Sequence, residues 1–358
     1  MRSIERVLTP LAVLEGAGVR LVRSIATRAL NYVDPFLLFD DFSSANPDDH
    51  IKGFPWHPHR GIETVTYILS GLVAHRDSLG NAGRIGAGEV QWMTSGSGIM
   101  HEEMPQKTEA PLVGFQLWVN LPAAKKMITP RYQDLRADQI PVVSSADGAT
   151  VRVIAGAFGG TTGPVRDIAA APTYLDVQLA PGAGIRLPAP AGHAACAYLF
   201  DGAARFGEDA AAPGAAASAR ATSAGAAPGA AASGDKSAPA GAEDAGAPVE
   251  SGSAASTATE EAREARRLIV FGDGGAVAAR AGAGGARFLL IAGAPLHEPI
   301  ARYGPFVMNT KQEIREALDD LERGTFIRAE PETGRDRTAS TETPADAGKW
   351  YGRAAERE

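Results

Sequence analysis

From Glu63 to Leu121 the chain turns too often for anything longer than short strands. Ser70-Gly71, Gly80-Asn81, Gly86-Ala87-Gly88 and Ser95-Gly96-Ser97-Gly98 punctuate the stretch, and β-branched and aromatic residues fill the intervals. Val65, Tyr67 and Leu69 alternate with Thr64, Thr66 and Ile68, and strand character resumes around Leu72 to His75. Frequent turns with short strands between them predict a jelly roll or barrel rather than βαβ units. Gly96 and Gly98 read as hairpin turns, because neither a strand-Gly-helix context nor a following Lys-Ser/Thr supports a phosphate loop.

Two runs within this region carry chemistry. Trp56-His57-Pro58-His59-Arg60-Gly61 and Ile99-Met100-His101-Glu102-Glu103-Met104 hold three of the seven histidines beside carboxylates. Alternate residues of a strand share a face, so His57 pairs with His59, and His101 with Glu103, while Glu102 points the other way. Two such strands facing each other supply four nitrogen and oxygen ligands. That set suits a borderline first-row divalent ion with positions left open for water, dioxygen or substrate. Pro58 cannot donate a ladder hydrogen bond, which predicts an edge or bulge for its strand. The fourth ligand has two candidates. Glu63 lies four residues past His59 and would share its face if the strand stayed regular; Glu103 competes with it.

His-x-His-x-x-x-Glu followed by a further His resembles the cupin superfamily, where that glutamate often ligates. A longer set of segments resembles the pirin family: Asp34-Pro35-Phe36-Leu37-Leu38-Phe39-Asp40-Asp41-Phe42, His57-Pro58-His59-Arg60-Gly61-Ile62-Glu63-Thr64-Val65, and Gln91-Trp92-Met93-Thr94 leading into Gly98-Ile99-Met100-His101. Gln116-Leu117-Trp118-Val119-Asn120-Leu121 and Gly304-Pro305-Phe306-Val307-Met308-Asn309-Thr310 extend the match toward the C-terminus. The resemblance implies an all-β bicupin, two tandem jelly-roll barrels with a few short helices, and a metal in the N-terminal barrel only. Its ligands would be His57, His59, His101 and Glu103. Iron(II) is the expected ion, with Mn, Ni, Co, Cu and Zn chemically admissible. Glu63 then becomes a residue behind the ligands, able to orient a histidine or hold a proton.

The resemblance also implies a reaction: cleavage of a quercetin-type flavonol, with insertion of both atoms of dioxygen and release of carbon monoxide. Glu103, or Glu63 if it lies near, is the expected catalytic base. An alternative from another class is a redox-sensing regulator that binds transcription factors or metabolic enzymes, and a third is a metal-holding barrel without chemistry.

The second half reads as a degraded repeat. Thr173 to Leu179, the turn Pro181-Gly182-Ala183-Gly184, Ile185 to Leu187 and Ala195 to Asp201 again give strand, turn and strand, without the ligand set. His193 and His297 stand alone and read as structural, and His50 and His75 are not expected to ligate. Between Ala203 and Arg267 the composition shifts to Ala, Gly, Ser and Pro, with no aromatic residue from Gly207 to Val270. Such a stretch cannot build a core, which predicts a loosely ordered insertion over 207–263, with a short helix over Thr257 to Arg267. Thr310 reads as an N-cap with Glu313 in the capping-box position, and Ile314, Leu318 and Leu321 carry a helix to Gly324. The expected organisation is a metal-binding domain over 1–135, a metal-free domain over 136–325 and a charged tail over 326–358 that Trp350 and Tyr351 anchor.

At 358 residues the chain is long enough for two domains. Its formal net charge of -7 and the absence of a basic cluster or helix-turn-helix pattern disfavour direct nucleic-acid binding. No apolar run long enough to span a membrane and no targeting signal is apparent, and a single cysteine fits a reducing compartment, so the cytoplasm is expected. Cys196, among Ala194 to Phe200, reads as a buried apolar residue rather than a catalytic thiol. The expected partners are a flavonol-like small molecule, dioxygen and, under the alternative, another protein.

Overall fold

The computed structural model describes residues 1–207, 210, 220–221, 263–264 and 266–328. In the first barrel a seven-stranded antiparallel sheet runs in the order Arg131–Leu135, Glu89–Thr94, Ile62–Ser70, Val113–Asn120, Phe36–Asp41, Val19–Ile25 and Leu11–Glu15. A four-stranded sheet of Phe54–His59, Ile99–Pro105, Val73–Asp77 and Ala82–Ile85 closes over it. Phe54–His59 is an edge strand, which accommodates Pro58. The second barrel is built on a ten-stranded sheet centred on Ala194–Phe206, Ala276–Gly293 and Thr173–Leu179.

The alternation along Ile62–Ser70 explains how the barrels join. Val65 and Tyr67 point toward the second barrel, and Thr66 and Ile68 point into the first. Phe39, Trp92 and Phe115 of the first barrel and Tyr174, Tyr198, Leu289 and Ile291 of the second form one continuous buried layer. Each such side chain contributes roughly 1.5–3 kcal/mol by leaving water. Polar atoms caught in the layer find partners across it. Tyr67 donates to Asp176 Oδ2 at 2.7 Å, Arg287 holds the same carboxylate with two N–H groups, and Tyr198 donates to Asp41 Oδ2 at 2.8 Å. Cys196 is fully buried in this layer, and burial pushes its thiol up to about 12, so it is inert at neutral pH.

The chain ends cross between the barrels. Ile4–Leu8 pairs with Arg267–Phe271 of the second barrel, and Arg2, 1% exposed, donates to the carbonyls of Ala189, Pro190, His193 and Gly272 there. In the opposite direction, the segment after Gly293 returns to the first barrel. Phe306, Met308, Ile314, Ala317 and Phe326 pack on Met100 and Trp56, the outward residues of the two histidine-bearing strands. The helix Lys311–Glu322 begins as its sequence predicts: Thr310 Oγ1 accepts from the Glu313 N–H and the Glu313 carboxylate accepts from the Thr310 N–H.

The insertion over 207–263 falls largely outside the described residues. So does most of the helix expected over Thr257 to Arg267, and its described part is extended: Arg263–Glu264 pairs with Ala203 and Ala204, and strand resumes at Arg267. The tail beyond Arg328, with Trp350 and Tyr351, also lies outside them. Among the described residues no helix is long and apolar enough to cross a membrane.

A sharp corner follows the histidine strand. Gly61 has φ +82, and a Cβ there would stand 2.0 Å from the Val307 carbonyl oxygen, so only glycine fits. Lys126, 1% exposed, donates to the carbonyls of Gly61 (2.9 Å) and Val307 (2.8 Å) and to Asn120 Oδ1 (2.7 Å), which uses all three of its N–H bonds. Lys126→Met would leave three buried acceptors unmet, and urea unfolding is expected to show a loss of about 3 kcal/mol. A wild-type midpoint would refute the clamp.

Glu63, 1% exposed, lies on the inter-barrel face, where its Oε1 accepts from Thr94 Oγ1 at 2.8 Å. Burial pushes its carboxyl up from 4.5 to about 7. Within that window the unfolded chain is ionised while the folded protein keeps its proton, so Glu63 costs stability as pH rises from 4.5 to 7. Glu63→Gln should match the wild type in thermal unfolding near the lower value and exceed it by up to about 3 kcal/mol above the upper one. A gap independent of pH would contradict this.

Candidate metal centre

His57 and His59 enter the first barrel on one face of Phe54–His59, and the register of Ile99–Pro105 sets His101 directly opposite His57. One nitrogen from each of the three rings lies within 4.8 Å of the others. The Nε2 atoms of His57 and His59 are 3.1 Å apart, and the ring centroid of His101 is 4.4 Å from that of His57 and 5.0 Å from that of His59. Among the described residues, this is the grouping with metal-ligand geometry.

The protonation states favour ligation. His57 Nδ1 stands 2.9 Å from the Pro55 carbonyl, so a proton there donates to it and leaves the Nε2 lone pair facing the cluster. Burial lowers the pKa of all three rings, that of His57 to about 4, so each is neutral at physiological pH. Both ring nitrogens of His101 are buried without a hydrogen-bond partner. Converging lone pairs of neutral imidazoles are costly to desolvate alone and are the donors a divalent cation takes. The residues present therefore fit a metal.

Glu103 follows His101 on the same strand, past a shift in register, and lies outside the three-histidine grouping. Its Oε1 accepts from Thr66 Oγ1 at 2.7 Å and its Oε2 from Gln116 Nε2 at 3.3 Å, and burial raises its pKa. Glu102 points outward to pair with Arg76 at 2.5 Å, as its parity predicts. Glu63 is corrected. The strand does not stay regular past His59, because the Arg60-Gly61 corner ends it and Ile62–Ser70 begins in the other sheet. Opposite Thr94 and Val119 in the ladder, Glu63 lies on the face away from Thr66 and the histidines.

His50 lines the cavity without joining the cluster, and His75 stacks on Tyr132 with centroids 5.8 Å apart. The His193 backbone binds Arg2, and the His297 N–H donates to Asp34, both away from the cluster. A cavity of about 490 Å³ opens from His57, His59 and Glu103 between Leu38, Phe54, Val73 and Trp118. Thr66, Gln116 and Trp118 were not singled out as site residues in the sequence. Their even-numbered alternation on two neighbouring strands is the signal that places them inside. Arg302, from the returning C-terminal segment, has no such signal.

The chain matches the Pirin family over residues 18–119 and the Pirin C-terminal cupin domain over residues 235–327. It is 38% identical to Pirin of Homo sapiens over 310 residues, 86% of this chain and 88% of that one. A Pirin-like protein of Caulobacter vibrioides is 36% identical over 327 residues, 91% of this chain and 99% of its own. Among solved structures, quercetin 2,3-dioxygenase from Acinetobacter baumannii superposes with a TM-score of 0.70 at 29% identity, covering 91% of this chain and 98% of that chain. Two barrels, a histidine centre in the first, and matches that span both halves place the chain in the Pirin family of the cupin superfamily.

Proposed function

We propose that the protein is a metal-dependent dioxygenase that opens a flavonol-type ring, with His57, His59, His101 and Glu103 holding one Fe(II). The observation that carries this reading is the cluster of three neutral imidazoles at the end of an aromatic-lined cavity. The similarity to a quercetin 2,3-dioxygenase supports the reaction type. Mn, Ni, Co, Cu and Zn suit the same donors, and iron is favoured by the family resemblance. When bound, the ion supplies Lewis acidity and redox chemistry toward dioxygen.

The chain's own residues account for binding and proton movement. Trp118 and Phe54 offer flat walls for an aromatic ring, while Leu38 and Val73 exclude water from it. Glu103, which lines the cavity, accepts the proton of the substrate hydroxyl. Thr66 and Gln116 hold the carboxylate in one orientation, so its free lone pairs stay turned to the cavity.

Iron-loaded protein is expected to take up oxygen with quercetin as the flavonol absorbance falls, one dioxygen per flavonol, with carbon monoxide as a product. His101→Ala should lose metal and uptake together. Glu103→Gln should lower kcat by roughly 10²–10⁴-fold, the usual contribution of a positioned base. Full activity in Glu103→Ala would remove that residue from the mechanism. Stoichiometric metal with no uptake would overturn the enzyme reading in favour of a metal-dependent partner-binding protein.

A further inference from the structure

Arg23 and Arg302 line the cavity with Glu15 and Asp40, whose charges act on both arginines, but only Arg23 pairs with them directly. Arg23 is fully engaged: its Nε and Nη2 bind Asp40 at 2.7 Å each, and its Nη1 binds Glu15 Oε1 at 2.7 Å. Arg302 lines the same cavity and differs. Its guanidinium lies over the Trp118 indole, 4.9 Å from the ring centroid. It donates only to carbonyls, Leu37 O at 3.2 Å and Gly304 O at 3.4 Å. Among the described residues no carboxylate stands within 4.0 Å of it. Arg302 is solvent-accessible, so its charge is available to a molecule entering the cavity.

Trp118 connects this cation to the metal centre. The His59 ring meets the indole edge-on, with centroids 5.1 Å apart, and Arg302 covers the same residue. Trp118 thus touches both an imidazole of the cluster and the guanidinium at the cavity wall. Guanidinium groups recognise ionised oxygen by paired, charge-assisted hydrogen bonds.

We infer that Arg302 forms an anion subsite, so that the natural ligand of this cavity is an aromatic molecule with an acidic oxygen, carboxylate or ionised phenol, seated at the guanidinium. The inference rests on the cavity being the ligand site proposed above and names the class of ligand it takes. Arg302 acts as a positioning residue: it holds the acidic oxygen of the ligand and takes no proton.

The test is a binding measurement on the full chain, without dioxygen or turnover, following tryptophan fluorescence with naphthoate and with its neutral amide, naphthamide. Naphthoate is expected to bind at least about tenfold more tightly, the usual worth of a hydrogen-bonded ion pair in a partly dry site. Arg302→Gln should abolish the preference while leaving naphthamide affinity unchanged, which also shows that the variant is folded. Arg302→Lys should keep part of the preference, and Arg84→Gln, exposed on Ala82–Ile85, should keep all of it. Equal binding of acid and amide, or an acid preference that survives Arg302→Gln, would overturn the subsite whether or not quercetin is turned over. Failure of quercetin turnover with the Arg302-dependent preference intact would instead count against the flavonol reading alone and leave the subsite standing.

Discussion

Two buried cations hold the corner that follows His59, and the arrangement of both sheets and the C-terminal segment depends on it. Lys126 gathers Gly61, Asn120 and Val307. Arg60, 1% exposed, donates to Ser97 O at 2.6 Å and to Asp320 Oδ2 at 2.7 Å, and lies 4.4 Å over the Phe326 ring. Charges this deep are tolerated because all three N–H bonds of Lys126 and every side-chain nitrogen of Arg60 meet a fixed acceptor. Their effect is geometric. The chain leaves the four-stranded sheet, enters the seven-stranded one and is pinned at the turn by groups from three distant segments, so the histidine pair points inward at a set angle.

Interior of the first barrel and inter-barrel layer are two sides of the same strands. In Ile62–Ser70 one set of side chains, Val65 and Tyr67, builds the join to the second barrel, while Thr66 on the other face holds Glu103. Packing between barrels and positioning at the centre are thereby mechanically continuous, as expected where close-packed interiors transmit displacement. A polar layer bound by Asp176 and Asp41 fixes the relative orientation of the barrels, where an apolar layer alone would permit sliding.

What could be read from the sequence was local. Spacing of two in His57-Pro58-His59, the turn glycines and the Thr310–Glu313 capping box each state their geometry within a few residues, and the structure reproduces them. Glu63 failed because counting parity assumes an unbroken strand, and the positive φ at Gly61 resets the count. The extended backbone at Arg263–Glu264 was missed because Glu and Arg favour a helix locally while pairing with Ala203 and Ala204 is a tertiary choice. Arg302 and the crossing of Ile4–Leu8 were invisible for a related reason: nothing in their own neighbourhood encodes a partner hundreds of residues away.

The exchange of terminal arms sets an order on biogenesis. Ile4–Leu8 is made long before its ladder partner Arg267–Phe271, and the wall of the first barrel's cavity includes Arg302, Gly304 and Pro305, which follow later still. During synthesis the histidines emerge early into a barrel whose mouth is unfinished. The cavity around the histidines thus reaches its final shape only after Arg302, Gly304 and Pro305 have left the ribosome, long after the histidines themselves.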